Sequence, residues 1–160
     1  MISKDNKLIL NGVLIFSILS LSIAYFIQYV LGHKPCNLCL IERIPYIASI
    51  ILISLIFIIY RFEKIILIII SLFFIFGAAV SFYHFGIEQG FFSESLVCDL
   101  VNNTNLSKEQ LLKQLENSSI VSCKDVTFRV LGLSLATINT IISIILSVII
   151  IKLIKNYDKN

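Results

Sequence analysis

The sequence predicts an all-α membrane protein, a bundle of four transmembrane helices with one long outer loop. Of its 160 residues, 58% are hydrophobic, and the mean hydropathy is +0.94, whereas soluble domains are about 45–50% apolar. Four apolar runs cover residues 8–30, 44–60, 65–83 and 130–154. Each is near the ~20 residues that cross roughly 30 Å of hydrocarbon. We therefore expect residues 1–160 to form a single integral membrane domain.

The first run is interpreted as a retained span rather than a cleaved signal peptide. Residues 8–30 exceed the roughly 7–15 apolar residues of a signal h-region, and no A-x-A cleavage site follows them. The four runs are separated by a short turn near residues 61–64 and by two longer segments, residues 31–43 and 84–129.

The distribution of basic residues predicts the orientation of the four spans. The short segments on one side of the membrane carry seven basic residues, Lys4, Lys7, Arg61, Lys64, Lys152, Lys155 and Lys159. Six basic residues on the other side are spread over the longer segments 31–43 and 84–129. Because basic residues concentrate in cytoplasmic segments, we expect both termini in the cytoplasm and both longer segments outside.

The outer segment 84–129 is predicted to contain a short amphipathic helix. Ser107 and Gln110 have the spacing of a capping box, and Leu111, Leu112 and Leu115 follow at helical spacing. The apolar face of this helix would lie on the membrane surface or on the bundle.

All four cysteines lie in the two predicted outer segments, where disulfides form and persist. Cys36 and Cys39 form a C-x-x-C motif, and Cys98 and Cys123 lie in the long segment. The two-residue spacing is typical of redox motifs, in which the two sulfurs meet and one thiol pKa is lowered. A purely structural bond between Cys36 and Cys39 is disfavoured, because closing so short a loop gains little.

A structural zinc ion is the alternative interpretation of the C-x-x-C motif. Zinc would need two further ligands, and the other two cysteines do not form a second C-x-x-C, although His33 and His84 are available. We therefore predict no metal.

Arg43 is the charged neighbour of the motif. If the segment is helical, Cys36, Cys39 and Arg43 lie at i, i+3 and i+7 on one face. A guanidinium there would stabilise a thiolate and could donate hydrogen bonds to a carbonyl oxygen such as that of a quinone.

Two features weaken this placement of Arg43. Pro45 disfavours α geometry at Ile44 and could mark the true start of the second span. Arg43 could also be an interfacial anchor that pairs with Glu42. With two cysteines adjacent, we favour the functional interpretation.

The first cysteine pair changes the interpretation of the second pair. Alone, Cys98 and Cys123 would most often form a structural staple, and four cysteines allow three connectivities. Two disulfides on one face of a small bundle, however, permit exchange through a mixed disulfide.

A set of motifs occurs in order along nearly the whole chain: Cys36-x-x-Cys39-x-x-Glu42-Arg43, Tyr83-His84-x-Gly86-x-Glu88-Gln89, Cys98, and Cys123-Lys124-x-x-x-Phe128-Arg129-x-Leu131-Gly132-Leu133-Ser134. This ordered set resembles the DsbB-type disulfide-bond oxidoreductases of bacterial inner membranes. One departure is the absence of Trp, which family members often have near Phe128 and Asn139. The departure concerns the shape of the docking surface, not the redox pairs.

The resemblance implies a relay of electrons. A reduced periplasmic thioredoxin-fold partner of the DsbA type would attack a Cys98–Cys123 disulfide, with the mixed disulfide at Cys98. Electrons would pass to Cys36 and Cys39, and Cys39, beside Arg43, would pass them to ubiquinone or menaquinone.

The resemblance also implies the remaining assignments. His84 would lie near the quinone site, although a histidine at a helix end by the interface is equally compatible. Glu42 would orient Arg43 rather than react. The protein would be a monomer of the bacterial inner membrane with periplasmic cysteines and without a nucleic-acid partner.

Two other functions are open on the residues alone. The vitamin K epoxide reductase family is also a four-helix, quinone-linked fold, but its active C-x-x-C lies in a late helix, whereas this one precedes the second span. A non-enzymatic membrane scaffold with static disulfides, in the manner of tetraspanins, would have disulfides that resist reduction by a glutathione-like pool.

Overall fold

The computed structural model describes residues 4–59, 62–93, 123, 129–130 and 132–157. Its helices are α1 (Lys4–Tyr29), α2 (Asn37–Ile41), α3 (Ile44–Ile58), α4 (Glu63–Glu88) and α5 (Leu135–Tyr157). Strands β1 (Arg129–Val130) and β2 (Leu133–Ser134) pair antiparallel just before α5. The amphipathic helix predicted near residues 107–115 lies outside the described residues.

Four helical stretches are long and apolar enough to cross a membrane: Asn6–Tyr29, Asn37–Ile58, Glu63–Glu88 and Leu135–Asn156. The second stretch joins α2 and α3. Large apolar side chains are exposed along all four, as expected of helices whose outer faces contact lipid. The predicted all-α bundle of four transmembrane helices is therefore confirmed, with the two-residue strands as the only extended pairing among the described residues.

Helix α4 is the centre of the bundle. It packs most extensively against α5 and also against α3, while α1 packs against α3. The main core contains Ile53 from α3, Ile70 and Phe74 from α4, and Ile150 from α5, all almost fully buried. Because lipid is as apolar as these side chains, close packing and interhelical hydrogen bonds hold such bundles together.

The chain breaks between α2 and α3 at residues 42–43. Helix α2 ends at Ile41, and α3 begins at Ile44 with Pro45 in its first turn. Proline is tolerated there because the N–H groups of the first turn have no acceptor within the helix. The second span therefore has a one-turn helix at its N-terminal end, with Glu42 and Arg43 at the joint.

A tight turn follows α4 and folds the chain back over the last turn of the helix. Gly90 has a φ of +78°, the left-handed conformation that glycine adopts after helix ends. The N–H groups of Phe91 and Phe92 donate to the carbonyl oxygen of Gly86, and the Phe92 ring stacks on Tyr83 with centroids 5.5 Å apart. The Phe92 ring occupies the space that a side chain on Gly86 would need.

Gly77 allows α4 to approach α3 closely, and we expect Gly77→Ala to destabilise the bundle. A Cβ on Gly77 would lie 2.9 Å from Cγ of Pro45, and overpacking of this kind costs about 1–3 kcal/mol. Thermal unfolding in detergent, followed by circular dichroism, measures the loss. Gly12→Ala on α1 is the matched control, because a Cβ there meets no atom within 4 Å. Equal melting temperatures for the two variants would contradict the prediction.

Candidate functional site

The two thiols of the C-x-x-C motif meet at the start of α2. Cys36 is the N-cap of α2, and its Sγ accepts a hydrogen bond from the backbone N–H of Cys39 at 3.3 Å. This is the role that a serine or aspartate oxygen has in other helices. The Sγ atoms of Cys36 and Cys39 lie 2.8 Å apart, and both are free thiols. Cys36 is only 5% exposed, and Cys39 is half-buried.

His84 on α4 contacts the sulfur of Cys36. Its Nε2 lies 3.6 Å from Sγ of Cys36, and its Nδ1 lies 2.7 Å from Oε1 of Glu42. A carboxylate at Nδ1 favours an N–H there and orients the ring, so Nε2 faces the sulfur. The imidazole is buried, with 4% of its surface exposed. Nε2 is thus placed to exchange a proton with Cys36.

The surroundings of Cys36 favour its thiolate. The hydrogen bond from the Cys39 thiol is the largest contribution, burial opposes it, and the hydrogen bond and charge of His84 reinforce it. Together they lower the pKa of Cys36 from its ordinary value to about 4. A thiol with a lowered pKa is a nucleophile and a good leaving group at neutral pH, and stabilising the reduced form makes a cysteine pair more oxidising.

A buried polar network holds the Glu42 carboxylate in place. Its Oε2 accepts a hydrogen bond from Nδ2 of Asn139 at 2.9 Å, and the same Nδ2 donates to Oγ of Ser81 at 2.6 Å. The hydroxyl of Tyr46 donates to Oδ1 of Asn139 at 2.5 Å. This network joins the α2–α3 joint to α3, α4 and α5, and through Glu42 it fixes His84.

Three of these network residues were missed by the sequence reasoning. The signal that could have found them is a polar side chain within a long apolar run, as at Tyr46, Ser81 and Asn139. Polar groups inside a membrane face the bundle interior and need hydrogen-bond partners there.

Arg43 extends away from this network toward α1. Its Nη1 donates to Oε1 of Gln28 at 2.7 Å, and its guanidinium carbon lies 5.0 Å from the centroid of the Tyr25 ring, a cation–π arrangement. The expectation that Glu42 orients Arg43 is wrong, because the Glu42 carboxylate binds His84 and Asn139. The helix break separates the two neighbours, so they serve different parts of the bundle.

Cys123 packs against the first cysteine pair. It is 2% exposed and belongs to a buried cluster with Cys36, Leu38 and Ile87, against which Cys39 also packs. Cys123 is disulfide-bonded. Cys98 lies outside the described residues, so its assignment stays a prediction from the sequence.

Comparison with known proteins identifies the family. The model of the family described as disulfide bond formation protein DsbB matches residues 6–153. This chain belongs to the DsbB family. It is also 33% identical over 162 residues to uncharacterized protein RP370 of Rickettsia prowazekii (strain Madrid E), an alignment that covers 99% of this chain and 94% of that protein. No solved structure matches the chain.

Membership of the DsbB family makes the chain a multi-pass membrane protein of disulfide bond formation, an oxidoreductase. The structure places three of the four predicted redox cysteines, Cys36, Cys39 and Cys123, in or against one buried cluster. His84 lies at Cys36, and the described contacts of the Arg43 side chain are with α1.

Proposed function

We propose that this DsbB-family protein oxidises a periplasmic dithiol partner of the DsbA type and passes the electrons to a membrane quinone. The observation that carries the proposal is the shared burial of Cys123, which is disulfide-bonded, with the free thiol of Cys36. A disulfide-bonded cysteine packed against a second cysteine pair can exchange with it without a diffusing intermediary. Both pairs would face the periplasm, with the termini in the cytoplasm.

The first exchange transfers two electrons from the partner to the long segment. A partner thiolate attacks Cys98 of a Cys98–Cys123 disulfide and forms a mixed disulfide, and Cys123 leaves as a thiolate. The second thiol of the partner then displaces Cys98. The partner leaves with a disulfide, and Cys98 and Cys123 carry the two electrons as thiols.

The second exchange moves these electrons to the C-x-x-C pair. The Cys123 thiolate attacks Cys36 of a Cys36–Cys39 disulfide, and Cys39 leaves. Cys98 then attacks Cys123, which re-forms the second disulfide and releases Cys36 as a thiolate. Cys36 and Cys39 as free thiols, with Cys123 disulfide-bonded, are the state expected after this exchange.

His84 and the Cys39 thiol stabilise the departing Cys36 thiolate. Nε2 of His84 lies 3.6 Å from its sulfur and the Cys39 sulfur lies 2.8 Å away, so two hydrogen bonds can form as the negative charge develops. Glu42 holds the imidazole in position through Nδ1. His84 is therefore proposed to assist the thiol exchange, in addition to any part in quinone binding.

A bound quinone, ubiquinone or menaquinone, supplies the two-electron oxidising power that regenerates the Cys36–Cys39 disulfide. The residues at the α1–α3 contact fit such a molecule. Arg43 has donors beyond the one that Gln28 accepts, and Tyr25, Ile44 and Ile47 beside it are exposed on the apolar outer surface. Arg43 would bind a carbonyl oxygen there, within the layer that lipid-soluble molecules occupy.

Arg43→Ala is expected to raise the KM for a soluble short-chain quinone by about 10-fold or more, since a hydrogen bond to a charged group contributes about 1.5–3 kcal/mol. Single-turnover oxidation of the DsbA-type partner by the pre-oxidised protein should stay within about twofold, because Arg43 takes no part in the exchange between the cysteine pairs. Arg43→Lys tests the need for the planar guanidinium. Unchanged quinone kinetics in Arg43→Ala would remove this residue from the site.

The proposed function is tested by quinone reduction in detergent, with a reduced DsbA-type protein as the electron donor. Turnover should occur with the wild type and be lost in Cys39→Ser. Leu40→Ala, an exposed neighbour of Cys39, is the matched control and should retain turnover. Folded wild-type protein that reduces neither quinone type, and whose disulfides resist glutathione, would instead favour the scaffold with static disulfides.

A further inference from the structure

We propose that the reduced C-x-x-C pair is also a binding site for a thiophilic divalent cation such as Zn²⁺, with Cys36, Cys39, His84 and Glu88 as ligands. The ion would bind only the thiol state and would block reoxidation of the pair. It is an inhibitor and not a resident cofactor. The blocking effect rests on the proposed function, whereas the binding does not.

The geometry of three ligand atoms carries this proposal. The Sγ atoms of Cys36 and Cys39 and a ring nitrogen of His84 all lie within 4.8 Å of one another. Tetrahedral zinc with bonds of about 2.3 Å to sulfur and about 2.0–2.1 Å to nitrogen separates these atoms by about 3.6 Å. The observed distance from Sγ of Cys36 to Nε2 of His84 is 3.6 Å.

One adjustment is required for the ion to enter. The two sulfurs are 2.8 Å apart, and tetrahedral zinc holds two sulfurs about 3.8 Å apart. A rotation of the half-buried Cys39 side chain would supply this additional ~1 Å.

His84 is already oriented as a metal ligand. Glu42 lies 2.7 Å from Nδ1, so Nε2 faces the sulfurs and would bind an ion after losing its proton. A carboxylate behind a ligating histidine is the usual outer-shell arrangement of zinc sites, where it fixes the tautomer and raises ligand basicity. Asn139 in turn holds the second oxygen of Glu42.

Glu88 provides an independent observation that points to a cation. Its side chain is 6% exposed, and its Oε1 lies 3.8 Å from Nε2 of His84. Among the described residues, its Oε2 is a buried atom without a hydrogen-bond partner, although Ser134 acts on the same carboxylate as a hydrogen-bond donor. Buried carboxylate oxygens are normally satisfied or coordinate metals. Glu88 is not among the three groups whose ligand atoms lie within 4.8 Å of one another, so its carboxylate would move toward the sulfurs to become the fourth ligand.

Binding and oxidation exclude each other chemically. A coordinated thiol loses its proton, and no electrons move. A disulfide between Cys36 and Cys39 removes both thiolate ligands, so the oxidised pair cannot hold the ion. Bound Zn²⁺ therefore stabilises the reduced pair by mass action.

Binding is tested on chelator-stripped protein in detergent, with ZnCl₂ titrated against a chromophoric chelator. The reduced protein should bind one ion, and the oxidised protein none. Cys36→Ser and Cys39→Ser should each weaken binding by at least about 100-fold, and His84→Gln and Glu88→Gln by about 10–100-fold. His33→Gln is the matched control for loss of a histidine and should bind as the wild type does.

A measurement on the wild-type protein also tests the site, and it does not depend on whether the variants fold. Co²⁺ bound by two thiolates gives a sulfur-to-metal charge-transfer band, which should appear on addition to reduced protein and vanish on oxidation. A reduced protein that binds Co²⁺ without this band, or an oxidised protein that binds Zn²⁺ equally well, would overturn the site. Unchanged binding by Glu88→Gln would overturn the fourth ligand.

The two proposals fail in different ways. Zn²⁺ should stop quinone reduction, and a chelator should restore it. Stoichiometric binding by a protein that never reduces quinone would refute the proposed function and leave the metal site. Quinone turnover by a protein that does not bind Zn²⁺ would refute only the metal site. Turnover that continues with Zn²⁺ bound would refute the blocking effect.

Discussion

Cys98→Ser is expected to abolish oxidation of a reduced DsbA-type donor, with a loss of at least about 100-fold, because the proposed first nucleophilic attack has no sulfur to reach. The first pair should remain competent. When Cys36 and Cys39 are reduced by dithiothreitol, they should still pass electrons to quinone in a single turnover at a rate within about twofold of the wild type.

Two assays on one variant make this result specific. A loss of both activities would indicate a folding defect, and circular dichroism in the same detergent would detect it. Ser95→Ala, three residues away in the sequence, is the control and should retain both activities. A fully active Cys98→Ser protein would refute the relay, because electrons would then enter at the C-x-x-C pair directly.

Glu42→Ala is expected to cost both stability and activity. The Glu42 carboxylate accepts hydrogen bonds from His84 and Asn139 in the buried network. Leaving buried partners unsatisfied costs about 1–3 kcal/mol each. His84 would also lose its orientation toward Cys36, so exchange between the cysteine pairs should slow by about 10–100-fold.

The comparison of Glu42→Ala with Glu42→Gln separates these effects. Glutamine can still accept at one oxygen, so it should recover much of the stability but less of the exchange rate, because the negative charge behind the imidazole is absent. Thermal unfolding and single-turnover exchange are the two readouts. Glu63→Gln is the control, since Glu63 is a buried carboxyl at the opposite end of α4 and should not affect exchange. An exchange rate unaffected by Glu42→Ala would show that His84 needs no orientation.

The sequence alone was sufficient for the four spans and for the thiol pair. Apolar runs of bilayer length permit few structures other than helices, and the spacing of Cys36 and Cys39 brings their sulfurs together in any turn or helix. These features depend on local sequence, so they did not require knowledge of how the helices pack.

The polar network could not be predicted in the same way. Tyr46 and Asn139 are 93 positions apart. Their contact depends on how α3 and α5 are rotated about their axes. The hydrophobic pattern does not predict that rotation, because every face of these helices is apolar. The separation of Glu42 from Arg43 has a similar origin. Their contacts follow from the break between α2 and α3, and Pro45 indicated the break without indicating the direction of either side chain.

The turn at Gly90 brings Phe92 back onto the last turn of α4. Phe92 covers Gly86 and stacks on Tyr83, which itself packs against the buried cysteine cluster. Cys36 in that cluster is only 5% exposed, so a small thiol in bulk solution has little direct access to its sulfur. This burial slows direct attack on Cys36 by glutathione or dithiothreitol without changing the redox equilibrium, so in the proposed relay electrons would enter faster through a docked partner than from a pool of free thiols.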